Sequence, residues 1–177
     1  MNRRTALTLM TVGLLSLAVA LPAGNAAAQQ KGHVSYNVSA KDTTFTQQLN
    51  INVDDAPDHI VRVYEFRRVF PSNAPVINGI EVAEEWTRGI SDRTEGTGYT
   101  KLYTTLVMKN GDKIISELTA VVVSNSTTGR TDGTFGGKII RGTGKFATIK
   151  GFMRGTNSFD LKGYNEGSYD LDYSVGE

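Results

Sequence analysis

From about residue 33 onward, runs rich in Val, Ile, Thr, Tyr and Phe recur between clusters of Gly, Asn, Asp and Ser, and several alternate apolar with polar residues. That period of two is the mark of strands. No window sustains apolar residues at i, i+3, i+4 and i+7 behind a capping residue, so helices are not expected. The pattern predicts strands over His33–Ala40, His59–Phe70, Gly79–Arg88, Gly98–Lys109, Asp112–Ser124, Arg130–Ile140, Phe146–Thr156 and Gly163–Val175. About eight strands joined mostly by short turns predict an all-β fold.

Asn110-Gly111 is the sharpest local signal. Asn-Gly favours the two-residue type I′ turn, which would fix the hairpin register. Val107 then faces Ile114, Thr105 faces Ser116 and Tyr103 faces Leu118 on one side. Leu106 faces Ile115, Thr104 faces Glu117 and Leu102 faces Thr119 on the other. Both sides are partly apolar, which a sheet with one wet face would not be. The expectation is a closed eight-stranded antiparallel barrel whose outer wall is covered by another subunit, in a dimer or trimer. In the last strand Tyr169, Leu171, Tyr173 and Val175 share one face and should point inward, opposite Ser168, Asp170 and Asp172. This strand is expected to close the barrel against an early one, since an unpaired apolar edge invites aggregation.

The first 28 residues break the pattern. Arg3 and Arg4, the apolar stretch Leu7 to Leu21 and Ala26-Ala27-Ala28 read as a bacterial-type secretory signal peptide cleaved after Ala28. Residues 29–177 are then one exported domain, in the periplasm or the medium, with no membrane attachment after cleavage. Removing Arg3 and Arg4 from 19 basic residues leaves 17 against 18 acidic ones, a net charge near −1. Without a basic stripe, nucleic acid is not an expected partner. Cysteine is absent, which excludes thiol chemistry and leaves an exported fold held by its core alone.

Apparent motifs dissolve on their own structural requirements. Gly144-Lys145 lacks the glycine five residues earlier and the following Ser or Thr of a phosphate loop. Gly142-x-Gly144-x-x-Ala147 precedes a strand, whereas a dinucleotide fingerprint opens a helix. His33 and His59 stand apart with no second ligand at metal spacing, so no metal is expected. Nor is there a Gly-x-Ser-x-Gly elbow.

Charged residues inside apolar strands are the better candidates. Glu65 and Arg67 share a face with Val61, Val63 and Val69, and Glu117 shares one with Ile115, Thr119, Val121 and Val123. Glu85 lies between Glu84 and Trp86. A carboxylate inside a dry cavity can act as a general base or stabilise positive charge. On the outside, the same residues would be solvated or ion-paired.

The second half of the chain resembles the superfamily of allene oxide cyclases and dirigent proteins. The resemblance rests on Gly111-Asp112 after an aromatic-rich strand, on Arg141-Gly142-Thr143-Gly144-Lys145-Phe146, and on Gly151. Upstream, Val63-Tyr64-Glu65 is similar to the Val-Tyr-Glu at the start of the cyclase barrel, whose glutamate lines the cavity. The chain departs from the cyclases in Arg67, where they carry asparagine, and in lacking their cavity cysteine. The resemblance implies a cofactor-free, calycin-like barrel with an apolar lumen, often trimeric, that steers a reactive small molecule.

These readings converge on an exported barrel that binds a hydrophobic or aromatic small molecule and promotes isomerisation, cyclisation or elimination. Glu65 is the expected acid/base group, with Arg67 and Glu117 as polar partners. Trp86, Leu102, Thr104, Tyr169 and Tyr173 are the expected ligand-binding residues. A lipocalin-like periplasmic carrier without chemistry is the alternative, and a structural subunit with a filled lumen is a third reading.

Overall fold

The computed structural model describes residues 29–176, so the expected signal peptide lies outside the described residues. Ten antiparallel strands follow: β1 (Gln30–Val38), β2 (Thr43–Asn52), β3 (Ile60–Val69), β4 (Val76–Ile77), β5 (Ile80–Thr94), β6 (Thr97–Met108), β7 (Lys113–Asn125), β8 (Arg130–Gly142), β9 (Lys150–Phe159) and β10 (Asn165–Val175). Nine lie on one hydrogen-bonded path, β1-β10-β9-β8-β7-β6-β5-β3-β2, while β4 pairs with β5 alone. No membrane-spanning helix occurs among the described residues.

Two expectations about this sheet need correction. There are more than eight strands, and the path is not closed, because its ends β1 and β2 do not pair with each other. Two strands that the sequence did not announce, β2 and the two-residue β4, are the reason for the first. Beyond Phe45 every β2 residue is exposed. Leu49 and Ile51 do alternate with asparagines, but a bulge between Phe45 and Gln47 and the polar run Thr46-Gln47-Gln48 break the pattern before it is long enough to mark a strand. The last strand does pair with an early one, β10 with β1, in an unbroken register from Gln30↔Val175 to Val38↔Gly167. Side chains bridge what the backbone leaves open. Arg68 of β3 reaches Asn165 and Tyr169 of β10, and Tyr36 of β1 reaches Glu85 of β5.

The Asn110-Gly111 hairpin forms between β6 and β7, but one residue out of the expected register. The turn bond runs from the Gly111 N–H to the Met108 carbonyl, and Met108 N–H bonds the Asp112 carbonyl. Lys109 and Asn110 are thus the central residues, and Gly111 alone takes a positive φ, 86°. This is the three-residue turn with a left-handed glycine rather than type I′. Leu106 faces Ile114, Thr104 faces Ser116 and Leu102 faces Leu118. A slip of one residue exchanges faces on one strand relative to its partner. The shift therefore puts Leu118 on the inner side and Tyr103 and Glu117 together on the outer one.

The enclosed space divides into two halves. At the end bearing the Asn110-Gly111 turn, Ile77, Met108, Ile114, Phe146, Met153 and Leu171 are all buried and pack as a solid apolar floor. Phe146 enters it from the glycine-rich connection, where a 3-10 turn over Gly144–Phe146 delays the start of β9 to Lys150. The opposite half holds the polar groups.

Candidate functional site

Strand β3 supplies the inner wall with an unusual ladder. Arg62, Tyr64, Phe66 and Arg68 face inward, while Val61, Val63, Glu65, Arg67 and Val69 face outward. Its neighbour β5 faces it in register, Arg68↔Glu85, Phe66↔Thr87, Tyr64↔Gly89 and Arg62↔Ser91. The lumen wall here is built of arginines and aromatic rings, and the valines that usually mark a core face point to solvent.

The expected site residues sort accordingly. Glu65 does not enter the lumen: it pairs with Arg88 at 2.7 Å on the outer surface and accepts a hydrogen bond from Thr46 at 2.6 Å. Arg67 pairs with Glu84 at 2.6 Å and Glu117 with Lys101 at 2.8 Å, also outside. Those partners hold the carboxyls of Glu84 and Glu117 below the usual range: for Glu84 the Trp86 indole N–H leads, for Glu117 the Lys101 ammonium. Trp86 lies outside as well, its N–H on Glu84 at 2.8 Å and the Arg67 and Arg88 guanidinium groups over its ring. Tyr173 faces inward but away from the cavity, its hydroxyl accepting the Asn78 N–H at 2.8 Å. Leu102, Thr104 and Tyr169 do line the cavity.

That cavity has a volume of about 50 Å³ and lies in the half above the apolar floor. Phe45, Tyr64, Phe66, Phe135, Phe159 and Tyr169 give it an aromatic wall, and Leu102, Leu118, Ala120 and Val122 an aliphatic one. Thr87, Ser91, Thr100, Thr104, Asn157 and Asn165 add polar atoms, and Arg62 and Arg93 add charge. Tyr64 fits because its strand partner has no side chain. A Cβ on Gly89 would sit 2.5 Å from the tip of the Tyr64 ring. Gly89→Ala is accordingly expected to push that ring out of place and to cost about 1–3 kcal/mol, read from urea denaturation.

Directly beneath the cavity lies a buried ion pair. Arg68 and Glu85 are both fully buried and 3.1 Å apart. Arg68 spends its remaining donors on Tyr169, on Asn165 at 2.5 Å and on Thr43 at 3.2 Å. Glu85 accepts from Tyr36 at 3.2 Å and Thr87 at 3.2 Å, and Thr87 bonds Thr104 at 3.1 Å. Nearly every polar atom of the pair is satisfied, which is what makes such burial tolerable. Aromatic faces close it off: the Arg68 guanidinium sits 4.7 Å from the Phe66 ring and 5.1 Å from that of Tyr169, and Tyr36 stacks on Tyr169 at 4.8 Å. Burial, then the Glu85 charge, pushes the Tyr36 hydroxyl well above its ordinary range. Burial also raises Tyr64, to about 12.

Glu85 is thus the carboxylate that points inward, among the four that stood out in the strands. The alternation of β5 could not single it out, because Glu84, Trp86 and Arg88 on one face are as polar as Glu85, Thr87 and Ser91 on the other. Arg62, Arg68 and Arg93 escaped for a related reason: an arginine in a strand ordinarily signals the wet face. Among the described residues no cluster of three His, Asp or Glu side chains could hold a metal ion.

No family model matches the chain, and neither does any curated protein. Solved structures do match. A pterocarpan synthase dirigent protein superposes with a TM-score of 0.50 at 14% identity, over 93% of this chain and 98% of that one. A second pterocarpan synthase dirigent protein gives a TM-score of 0.47 at 13% identity, over 84% of this chain and 96% of that one. The chain shares the fold of the first of these dirigent proteins.

Proposed function

We propose that this barrel, exported as residues 29–177, binds a hydrophobic or aromatic small molecule in the aromatic-walled cavity. There it promotes an isomerisation, cyclisation or elimination without a cofactor. One observation carries the reading. Tyr169 lines the cavity and its oxygen accepts a hydrogen bond from the buried Arg68, so its own O–H is left to donate toward an occupant. Arg68 and Glu85 do not border the cavity; they are positioning residues that fix Tyr169, Asn165 and Thr87. A donor held so rigidly by a guanidinium would stabilise negative charge developing on an occupant's oxygen, and the rings would restrict it to one conformer. The dirigent-like fold supports a cavity of this use, since a pterocarpan synthase shares it.

Burial of Glu85 beneath the cavity favours the second reading, a carrier without chemistry. One experiment separates the two. Native mass spectrometry of the purified protein should show a bound small molecule, which is then extracted and returned to ligand-free protein. An enzyme converts it, and Tyr169→Phe slows conversion by about a hundredfold while leaving affinity nearly intact. A carrier returns it unchanged. Protein that neither retains nor rebinds any small molecule would end both readings.

On the outer wall Ile90, Tyr99, Val121 and Val123 are more than half exposed. They support, within the same proposal, a homo-oligomer in which a second copy covers this face.

A further inference from the structure

Two arginines in the cavity wall lack a counter-charge. Arg62 and Arg93 are 3% and 6% exposed, and neither joins an ion pair among the described residues. They are close neighbours on one face, since Arg62 pairs with Ser91 and Arg93 lies two residues further along β5. Arg62 donates to Gln48, but its Nε and that of Arg93 are buried without partners. Two further buried atoms, Ser91 Oγ and Asn157 Oδ1, are also unpaired, and both residues border the same cavity. Four orphaned polar atoms around one space contrast with the nearly complete bonding of Arg68 and Glu85 just below. Burial lowers the readiness of both guanidinium groups to hold their protons, and for Arg62 the neighbouring Arg93 charge adds to this.

Leaving two like charges desolvated and unneutralised is unfavourable unless a ligand supplies the missing counter-charge. The fold nonetheless holds both guanidinium planes in place against rings, Arg62 at 5.4 Å from Phe45 and Arg93 at 5.3 Å from Phe159. Planar forks fixed in this way match a carboxylate, which can take two parallel charge-assisted hydrogen bonds from each. The aromatic wall beside them suits the rest of such a molecule.

We propose that Arg62 and Arg93 form an anion-binding subsite of the cavity, and that its ligand is an aromatic carboxylic acid bound as the carboxylate. The inference deepens the cavity-binding reading and rests on it for the aromatic part of the ligand. Ser91 Oγ can donate a further hydrogen bond to the bound carboxylate, whereas Asn157 Oδ1, an acceptor, is left for a donor elsewhere on the ligand.

The test compares three probes by calorimetric titration of the purified protein: cinnamate, its neutral analogue cinnamamide, and acetate. Cinnamate should bind at least about tenfold more tightly than cinnamamide, and Arg62→Gln or Arg93→Gln should each erase that advantage. Equal affinity for cinnamate and cinnamamide would overturn the anion subsite while leaving an aromatic pocket standing. Arginine-dependent binding of acetate as tight as that of cinnamate would keep the subsite and remove the aromatic reading. Failure of cinnamate to bind at all would overturn the proposal. The ligand-free melting temperature gives an independent reading. Removing an unpaired buried charge should leave it unchanged or higher, and a fall of more than about 5 °C in Arg93→Gln would show that the fold itself neutralises this arginine.

Discussion

Arg68→Met is expected to destabilise the protein by about 3–5 kcal/mol, because it leaves the Glu85 carboxylate buried with no positive charge beside it. Glu85 is 0% exposed, and the Tyr36 and Thr87 hydroxyls, each 3.2 Å away, would be its remaining partners. Two hydroxyl donors do not replace a guanidinium in a low-dielectric interior. The loss should appear as a fall in melting temperature of about 6–20 °C, at roughly 2–4 °C per kcal/mol for a chain of this size. Removing the charge on the other side as well should restore much of the loss. Arg68→Met with Glu85→Gln leaves no orphaned ion, so the pair of substitutions should cost clearly less than their sum in a double-mutant cycle. A single Arg68→Met variant within about 1 kcal/mol of wild type, or strict additivity in the cycle, would mean the two groups do not depend on each other.

The second large effect appears at alkaline pH. Tyr36 donates its O–H to Glu85 and is buried, so ionising it would set a phenolate beside a carboxylate. Tyr64 is held up to about 12, chiefly by burial. In the unfolded chain both tyrosines ionise near 10. Their contribution to stability is therefore complete below pH 10 and drains away as the pH rises above it, until each folded-state group ionises in turn. For Tyr64 the window runs from about pH 10 to 12 and amounts to roughly 2–3 kcal/mol by its upper end. Tyr36 adds to the loss over a wider range. Urea midpoints measured at pH 8, 10 and 11.5 should fall steeply over the last interval in wild type and less steeply in Tyr64→Phe. Parallel curves for the two proteins would show that Tyr64 is already free to ionise in the folded state.

Both effects arise from residues that alternation could not place. In β3 the three outward valines, Val61, Val63 and Val69, made the wrong face look like the core and brought Glu65 and Arg67 with them. The rule behind that expectation assumes a lumen filled with aliphatic side chains. This lumen carries arginines and tyrosines instead, neutralised or stacked by partners up to a hundred residues away, such as Asn165 and Tyr169. In β10 the same rule worked, because Tyr169, Leu171 and Val175 are buried and Asp170 and Asp172 are not. The hairpin register failed by one residue for a smaller reason: Asn-Gly can sit at either of two places in a tight turn, and here glycine took the third.

From its order of residues alone, this chain specified strands in place of helices, most of their positions and the inner face of the last strand. Each of these is written in local periodicity or in turn glycines, which act within a few residues. Tertiary structure alone decided which carboxylate is inside, which arginines are paired, where the sheet stays open and where the cavity lies. Those outcomes depend on partners that only the coiling of the sheet brings within hydrogen-bond distance. A strand whose two faces are equally polar carries no signal of which one will be buried.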